Sequence, residues 1–183
     1  DIVTGATTID SFKNISLSLS KLGLAYYIAE VVDRLVEETQ EADNIFPLVY
    51  GVLKELSRGN MPLDALKSFF EFNLLACLGL RPELRQCIVC HQPIDHSRKI
   101  AFSTCLGGLL DQEHMFSDSS AIELNPLELD LLLRISSGSI KELYEVDNLK
   151  TALPKVVKIT SSFLDYMIEK NLKSREFLEE VSF

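Results

Sequence analysis

Residues 63–80 read LDALKSFFEFNLLACLGL. Drawn as a helix, this stretch carries apolar side chains nearly all round, not on one stripe. No face of such a helix suits water, so it belongs in the middle of a bundle. Pro62 stands where a helix begins, and the first turn tolerates its missing N–H. A central buried helix of this kind makes the fold mainly α, and the flanking sequence supplies its neighbours.

Upstream, residues 9–38 carry Phe12, Ile15, Leu19, Leu22, Ala25, Tyr26, Ile28, Val31 and Leu35, mostly three and four apart, the period of a helix with one buried face. The acidic run EETQEAD follows at 37–43, with Asp43 placed to cap the next helix. That helix shows an apolar face of Ile45, Phe46, Val49, Val52, Leu53 and Leu56, and Gly59 ends it. Downstream, NPLELDLLLRI (125–135) opens with Asn125 as cap, Pro126 at the first helical position and Glu128 where a capping box places an acid. SSGS (136–139) stops it. LPKVVKITSSFLDYMIEKNL (153–172) is the last long helix and KSREFLEEVSF (173–183) a short closing one. Between the two helical halves, residues 81–120 hold Pro82, Pro93, Gly107 and Gly108, with one alternating run, KIAFST (99–104). This segment reads as a small β-hairpin insertion in a single helical domain spanning 1–183. Cys77, inside the apolar helix, reads as a small buried hydrophobe.

Composition bounds the chemistry. The chain has 183 residues, enough for one domain with a core, and 46% hydrophobic and 25% charged residues are ordinary for a globular protein. No run of 18 apolar residues suggests a membrane span. No basic segment followed by an apolar one opens the chain, so no signal peptide is expected. Four cysteines in a chain without an export signal point to a reducing, cytoplasmic compartment, where disulfides are rare. The net charge of −9 disfavours a body that coats DNA, since phosphate contacts need Lys and Arg. Basic residues do gather late, at Lys141, Lys150, Lys155, Lys158, Lys170, Lys173 and Arg175, and read as solvated helix faces.

The stretch CIVCHQPIDHSRKIAFSTCLGGLLDQEH (87–114) concentrates the reactive residue types: three of the four cysteines and all three histidines. C-x-x-C-H matches c-type haem attachment, but that chemistry belongs outside the cytoplasm and no pocket sequence follows. A C-x-x-C knuckle also lets two thiolates grip one zinc ion. Across the hairpin, GGLLDQEH places Asp111 and His114 three apart, and carboxylate and imidazole both ligate zinc. The candidate set is therefore Cys87, Cys90, Asp111 and His114, with Cys105, His91 and His96 as substitutes. Four protein ligands leave no open position, so such a zinc is structural. The competing reading is a metal-free hairpin packed by its apolar residues. Enzyme signatures are missing: no H-E-x-x-H, no phosphate-cradling glycine loop, no G-x-S-x-G. A thiol redox pair would stand at a helix N-terminus after a strand; here a helix precedes it.

These residues resemble the carboxy-terminal domain of the RecO family. AYYIAEVVDRLVEETQEADNIFPLVYGVLKEL (25–56) looks like its first helix pair. FFEFNLLACLGLRPELRQCIVC (69–90) is similar to its central motif at Phe70, Glu71, Leu74, Leu75, Leu78, Gly79, Pro82, Glu83, Leu84, Cys87 and Cys90. IAFSTCLGGLL (100–110) looks like its hairpin, and LKSREFL (172–178) like its closing motif. The resemblance covers residues 8–179. Zinc-binding members carry a second C-x-x-C where this chain has Asp111 and His114, and other members have lost the metal.

The resemblance implies a recombination mediator of bacterial DNA repair with no bond chemistry and no nucleotide. It implies an amino-terminal OB barrel that supplies the stacking platform for single strands. The chain opens on Asp1 and enters a helix within a dozen residues, so it is expected to be a piece lacking that barrel and binding DNA weakly alone. The implied partners are RecR, single- and double-stranded DNA, and the acidic tail of the single-strand-binding protein SSB; with RecR, the family helps RecA displace SSB. An acidic tail with an apolar end needs an apolar pocket rimmed by cations. The third helix, with Phe69, Phe70, Phe72 and Leu75 beside Lys67, Arg81 and Arg85, is the candidate, and Lys67, Phe70, Arg81 and Arg85 form the expected contact set. Two rivals stand beside this reading: a cytosolic zinc or thiol enzyme, and a helical adaptor with no DNA role.

Overall fold

The computed structural model describes Gly5 and residues 7–36 and 44–168. The expected cap at Asp43, the closing helix at 173–183, and Lys170, Lys173 and Arg175 lie outside the described residues. Five α-helices are described: α1 (Leu19–Leu35), α2 (Ile45–Arg58), α3 (Leu63–Cys77), α4 (Pro126–Ser136) and α5 (Leu149–Met167). Three short strands, β1 (Ile100–Ser103), β2 (Gly108–Leu110) and β3 (Ile122–Leu124), form an antiparallel sheet in the order β2-β1-β3. The chain is mainly α with a small sheet insertion, as its sequence indicates.

The helix that reads as central is central. Every residue from 65 to 75 is buried, and α1, α2, α4 and α5 all pack on it. Its end is a Schellman motif: Gly79 takes the left-handed conformation, Leu80 N–H donates to the Leu75 carbonyl at 2.8 Å, and Gly79 N–H to that of Ala76 at 3.2 Å. At α4 the capping box forms fully, with Glu128 N–H donating to Asn125 Oδ1 at 3.0 Å and Asn125 N–H to Glu128 Oε2 at 2.8 Å. Lys155 on α5 joins the box, donating to Glu128 Oε2 at 2.8 Å and to the Glu123 carbonyl at 3.1 Å.

A polar seam crosses the core. Glu71, fully buried, accepts from Tyr27 Oη at 2.5 Å and from Ser161 Oγ at 3.2 Å, and Lys67 Nζ lies 3.7 Å from it. Lys67 also donates to Ser161 Oγ at 3.1 Å and sits over the Tyr27 ring. Thus α1, α3 and α5 share one satisfied network, the condition under which buried charge is tolerated. Toward the sheet, Phe72, Phe102 and Phe163 meet with centroids 5.7–6.2 Å apart, in tilted and edge-on arrangements, which ties β1 to α3 and α5.

The first helix starts at Leu19, not Ile9: Asp10 Oδ1 accepts the Phe12 N–H at 2.9 Å, and Phe12 adopts a positive φ, so a turn precedes it. The last long helix starts at Leu149, four residues before Leu153, and keeps Pro154 inside it. Cys77 is exposed on the last turn of α3, not buried. β3 adds a third strand to the expected hairpin.

Candidate metal centre and apolar cavity

The Cys knuckle is set by backbone geometry. His91 N–H donates to the Cys87 carbonyl and Cys87 N–H to the Gln92 carbonyl, both at 2.8 Å, with His91 in the left-handed region. This tight reversal turns Cys90 back toward Cys87. Residues 83–88 then run against β2: Glu83 N–H bonds to Gly107, Leu109 N–H to Glu83, and Ile88 N–H to Leu109, at 2.8–2.9 Å. The approach requires Gly108, because a Cβ there would lie 2.8 Å from the Glu83 carbonyl oxygen. Asp111 follows β2 directly and starts a turn, its Oδ1 accepting the N–H groups of Glu113 at 3.0 Å and His114 at 2.9 Å.

These constraints bring Cys87, Cys90, Asp111 and His114 together, with one ligand atom from each lying within 4.8 Å of all the others. Cys87 is fully buried; the other three are half-buried. Cys90 Sγ donates to Asp111 Oδ2 at 3.1 Å, and His114 Nδ1 lies 2.9 Å from Asp111 Oδ1. Asp111 therefore divides its work: Oδ1 holds the turn and Oδ2 accepts from the Cys90 thiol. Burial raises the Asp111 pKa, but hydrogen bonds from Cys90 and His114 outweigh it and hold the carboxyl at about 2. At Cys90 a hydrogen bond from the Gln92 backbone lowers the thiol pKa; the Asp111 carboxylate, burial and Cys87 outweigh it and leave the thiol raised.

The donors fit zinc. Tetrahedral bonds of about 2.0–2.3 Å place ligand atoms roughly 3.3–3.8 Å apart, so small side-chain rotations close the site. Two thiolates, one carboxylate and one imidazole are all within zinc's ligand repertoire. The substitutes are elsewhere: His91 and His96 are exposed, and Cys105 is exposed with its Sγ 3.3 Å from Asp118 Oδ2.

The expected peptide contacts divide. Lys67 and Phe70 are buried in the bundle and present nothing to a partner, because Lys67 belongs to the polar seam and Phe70 is fully enclosed. Arg81 and Arg85 are exposed. Among the described residues Arg81 is the one cation lining a largely apolar cavity of about 520 Å³ between α2, α3 and the turn after α4, with Leu48, Val52, Phe69 and Cys77 among the other lining residues. On its other side, Arg81 and Arg85 border a second groove of about 660 Å³ with Leu133, Ser136 and Ser137. So Phe69, one residue before Phe70, is the aromatic wall. Asn73 and Gly138 also line the cavity. The one signal for Asn73 in the sequence is its polarity inside an otherwise apolar helix.

Residues 16–176 match the family model described as "Recombination protein O C terminal". The chain belongs to the RecO family. It is 29% identical over 180 residues to DNA repair protein RecO of Roseiflexus sp. (strain RS-1), covering 98% of this chain and 63% of that protein. It is 28% identical to DNA repair protein RecO of Desulforamulus reducens, covering 99% of this chain and 70% of that one. A 94-residue stretch is 40% identical to DNA repair protein RecO of Dehalococcoides mccartyi (strain ATCC BAA-2100), covering 51% of this chain and 37% of that protein. The chain thus spans 63% and 70% of the length of the first two of these curated relatives. Among the described residues no helix is long and apolar enough to cross a membrane.

Proposed function

We propose that this chain is the helical binding domain of a non-enzymatic recombination mediator in bacterial DNA repair. It works in the cytoplasm with RecR, helping RecA gain single-stranded DNA covered by SSB. DNA contact falls mainly to an OB barrel supplied by the rest of the protein, consistent with the −9 charge of this piece. The helical domain holds the acidic tail of SSB. One observation carries this reading: in a chain of this family, an apolar cavity opens beside Arg81, and Arg85 extends the cationic border along the next groove. The tail's apolar end enters the cavity while its acids meet the two guanidinium groups.

The hairpin serves this scaffold. Zn2+, when bound, supplies Lewis-acid charge that deprotonates the two thiols and joins four ligands from two loops. Cys87 and Cys90 hold one side of the site. Asp111 offers Oδ2 while Oδ1 keeps its turn, and His114 completes the set. No ligand position remains for a water nucleophile, which weighs against a zinc hydrolase.

The test is tail binding. A fluorescent SSB-tail peptide should bind the wild-type chain, and Arg81→Glu with Arg85→Glu should abolish that binding at moderate salt. Unchanged affinity in the double variant would remove the tail from this cavity.

A further inference from the structure

Asn73 lies on the cavity wall, only 5% exposed. Its Nδ2 donates both hydrogens, to the Phe69 carbonyl at 2.7 Å and the Ile135 carbonyl at 2.8 Å. This fixes the amide orientation, since a flipped amide would press oxygen against two carbonyl oxygens. Oδ1 is therefore the atom left over. Among the described residues it accepts no hydrogen bond. It lies 3.7 Å from where a side chain at Gly138 would begin, and Gly138 also lines the cavity. A buried acceptor without a donor is costly and is rare in native proteins. Here it sits in a space lined by Val52 and Phe69 and by one exposed cation, Arg81.

We propose that Asn73 is the specificity-determining residue of this cavity: Oδ1 accepts the N–H of the last peptide bond of an acidic peptide. The α-carboxylate of that peptide meets Arg81, and its terminal apolar side chain fills the space against Phe69. All three groups line one cavity, which suits a ligand carrying an anion, a hydrogen-bond donor and an apolar body. The carboxy-terminal residue of a peptide presents all three around one Cα. This inference rests on reading the cavity as the tail site, and adds what the cavity selects for. A site with a buried acceptor discriminates against a ligand lacking the donor more sharply than an apolar wall discriminates by size.

Replacing Asn73 would also release two backbone carbonyls, so the informative change is made on the ligand. A short acidic peptide ending in phenylalanine is compared with its depsipeptide, in which an ester oxygen replaces the last amide N–H. Both are titrated against the wild-type chain and against Arg81→Glu by fluorescence anisotropy. The expected result is about tenfold weaker binding of the ester to the wild type, with both ligands lost in Arg81→Glu. Equal affinity of amide and ester, both abolished by Arg81→Glu, would overturn the role of Asn73 and leave the tail site standing. Failure of the amide peptide to bind the wild type would overturn both.

Discussion

Around α3 the fold is held by enclosure: residues 65–75 are all buried, and four helices supply the cover. Across residues 87–114 enclosure is thin. Cys87, Ile94 and the two strands are buried, while His91, His96, Cys105 and Glu113 face water. The first region tolerates small errors, because many contacts share the load. The second depends on a few residues, the Cys knuckle, Gly108 and Asp111, each placed by specific backbone bonds. The helical body should therefore survive loss of the insertion's cluster, but the insertion should not survive loss of the helical wall that backs it.

The largest effect belongs to the polar seam of the body. Glu71→Ala leaves Lys67 buried without its carboxylate and removes the acceptor for Tyr27 and Ser161. The expected cost is about 3–5 kcal/mol in urea unfolding, because a lone buried charge is the expensive case. Lys67→Met combined with Glu71→Leu should recover most of that loss, since an apolar pair of similar volume replaces the ion pair at little cost. A loss below about 1 kcal/mol in Glu71→Ala would show that the seam does not hold α1 and α5 to α3.

A smaller and local effect should follow from removing metal. Zinc at about a hundred times its dissociation constant contributes roughly 2.7 kcal/mol to the state that binds it. Metal analysis by mass spectrometry should find one zinc per wild-type chain and none in His114→Ala. Chelation should then speed amide exchange across residues 87–114 while α3 keeps its protection. Zinc retained in His114→Ala would take His114 out of the ligand set. Absence of metal from both would make packing alone the support of the hairpin.

The same contrast explains what could be read in advance. Periodic burial writes itself into sequence, so α3, the Gly59 stop after α2 and the Asn125–Glu128 capping box were all legible. The Cys/Asp/His set was legible because ligand spacing is local on each side of the hairpin. Features decided by tertiary pairing were not. β3 has only three residues and exists because β1 offers Ile100, Ala101 and Phe102 as partners for Leu124, Glu123 and Ile122. The adjacent Phe69 and Phe70 are both apolar, and only the position of α2 decides which one lines a cavity. Cys77 matches its apolar neighbours in type, but the last turn of α3 leaves it open beside Arg81. The extended start of α5 ran against the usual placing of proline at a first turn, and packing on α3 and α4 overrode that preference.

The smallest effect also lies in the insertion and tests whether hydrogen bonds alone support its far side. Asp118 accepts from Ser103 Oγ at 2.7 Å, from Ser120 N–H at 2.8 Å and from Ser120 Oγ at 2.7 Å, so it binds the loop after His114 to the end of β1. The Ser103 hydroxyl, then the Ser120 hydroxyl and N–H, hold its carboxyl at about 2, against an ordinary value near 4. The folded pKa is depressed, so this contribution is fully present above about pH 4. It is lost as pH falls from about 4 toward 2, when the folded state must take up a proton. Partial exposure screens the interaction, so the change should be smaller than that of either variant above. Asp118→Asn should flatten this part of the stability curve measured between pH 5 and 2, leaving the slope from other carboxyls. An identical curve for wild type and variant would mean that the serine bonds do not couple this loop to folding, and that burial of β1 against Phe72 and Phe163 supports the sheet without them.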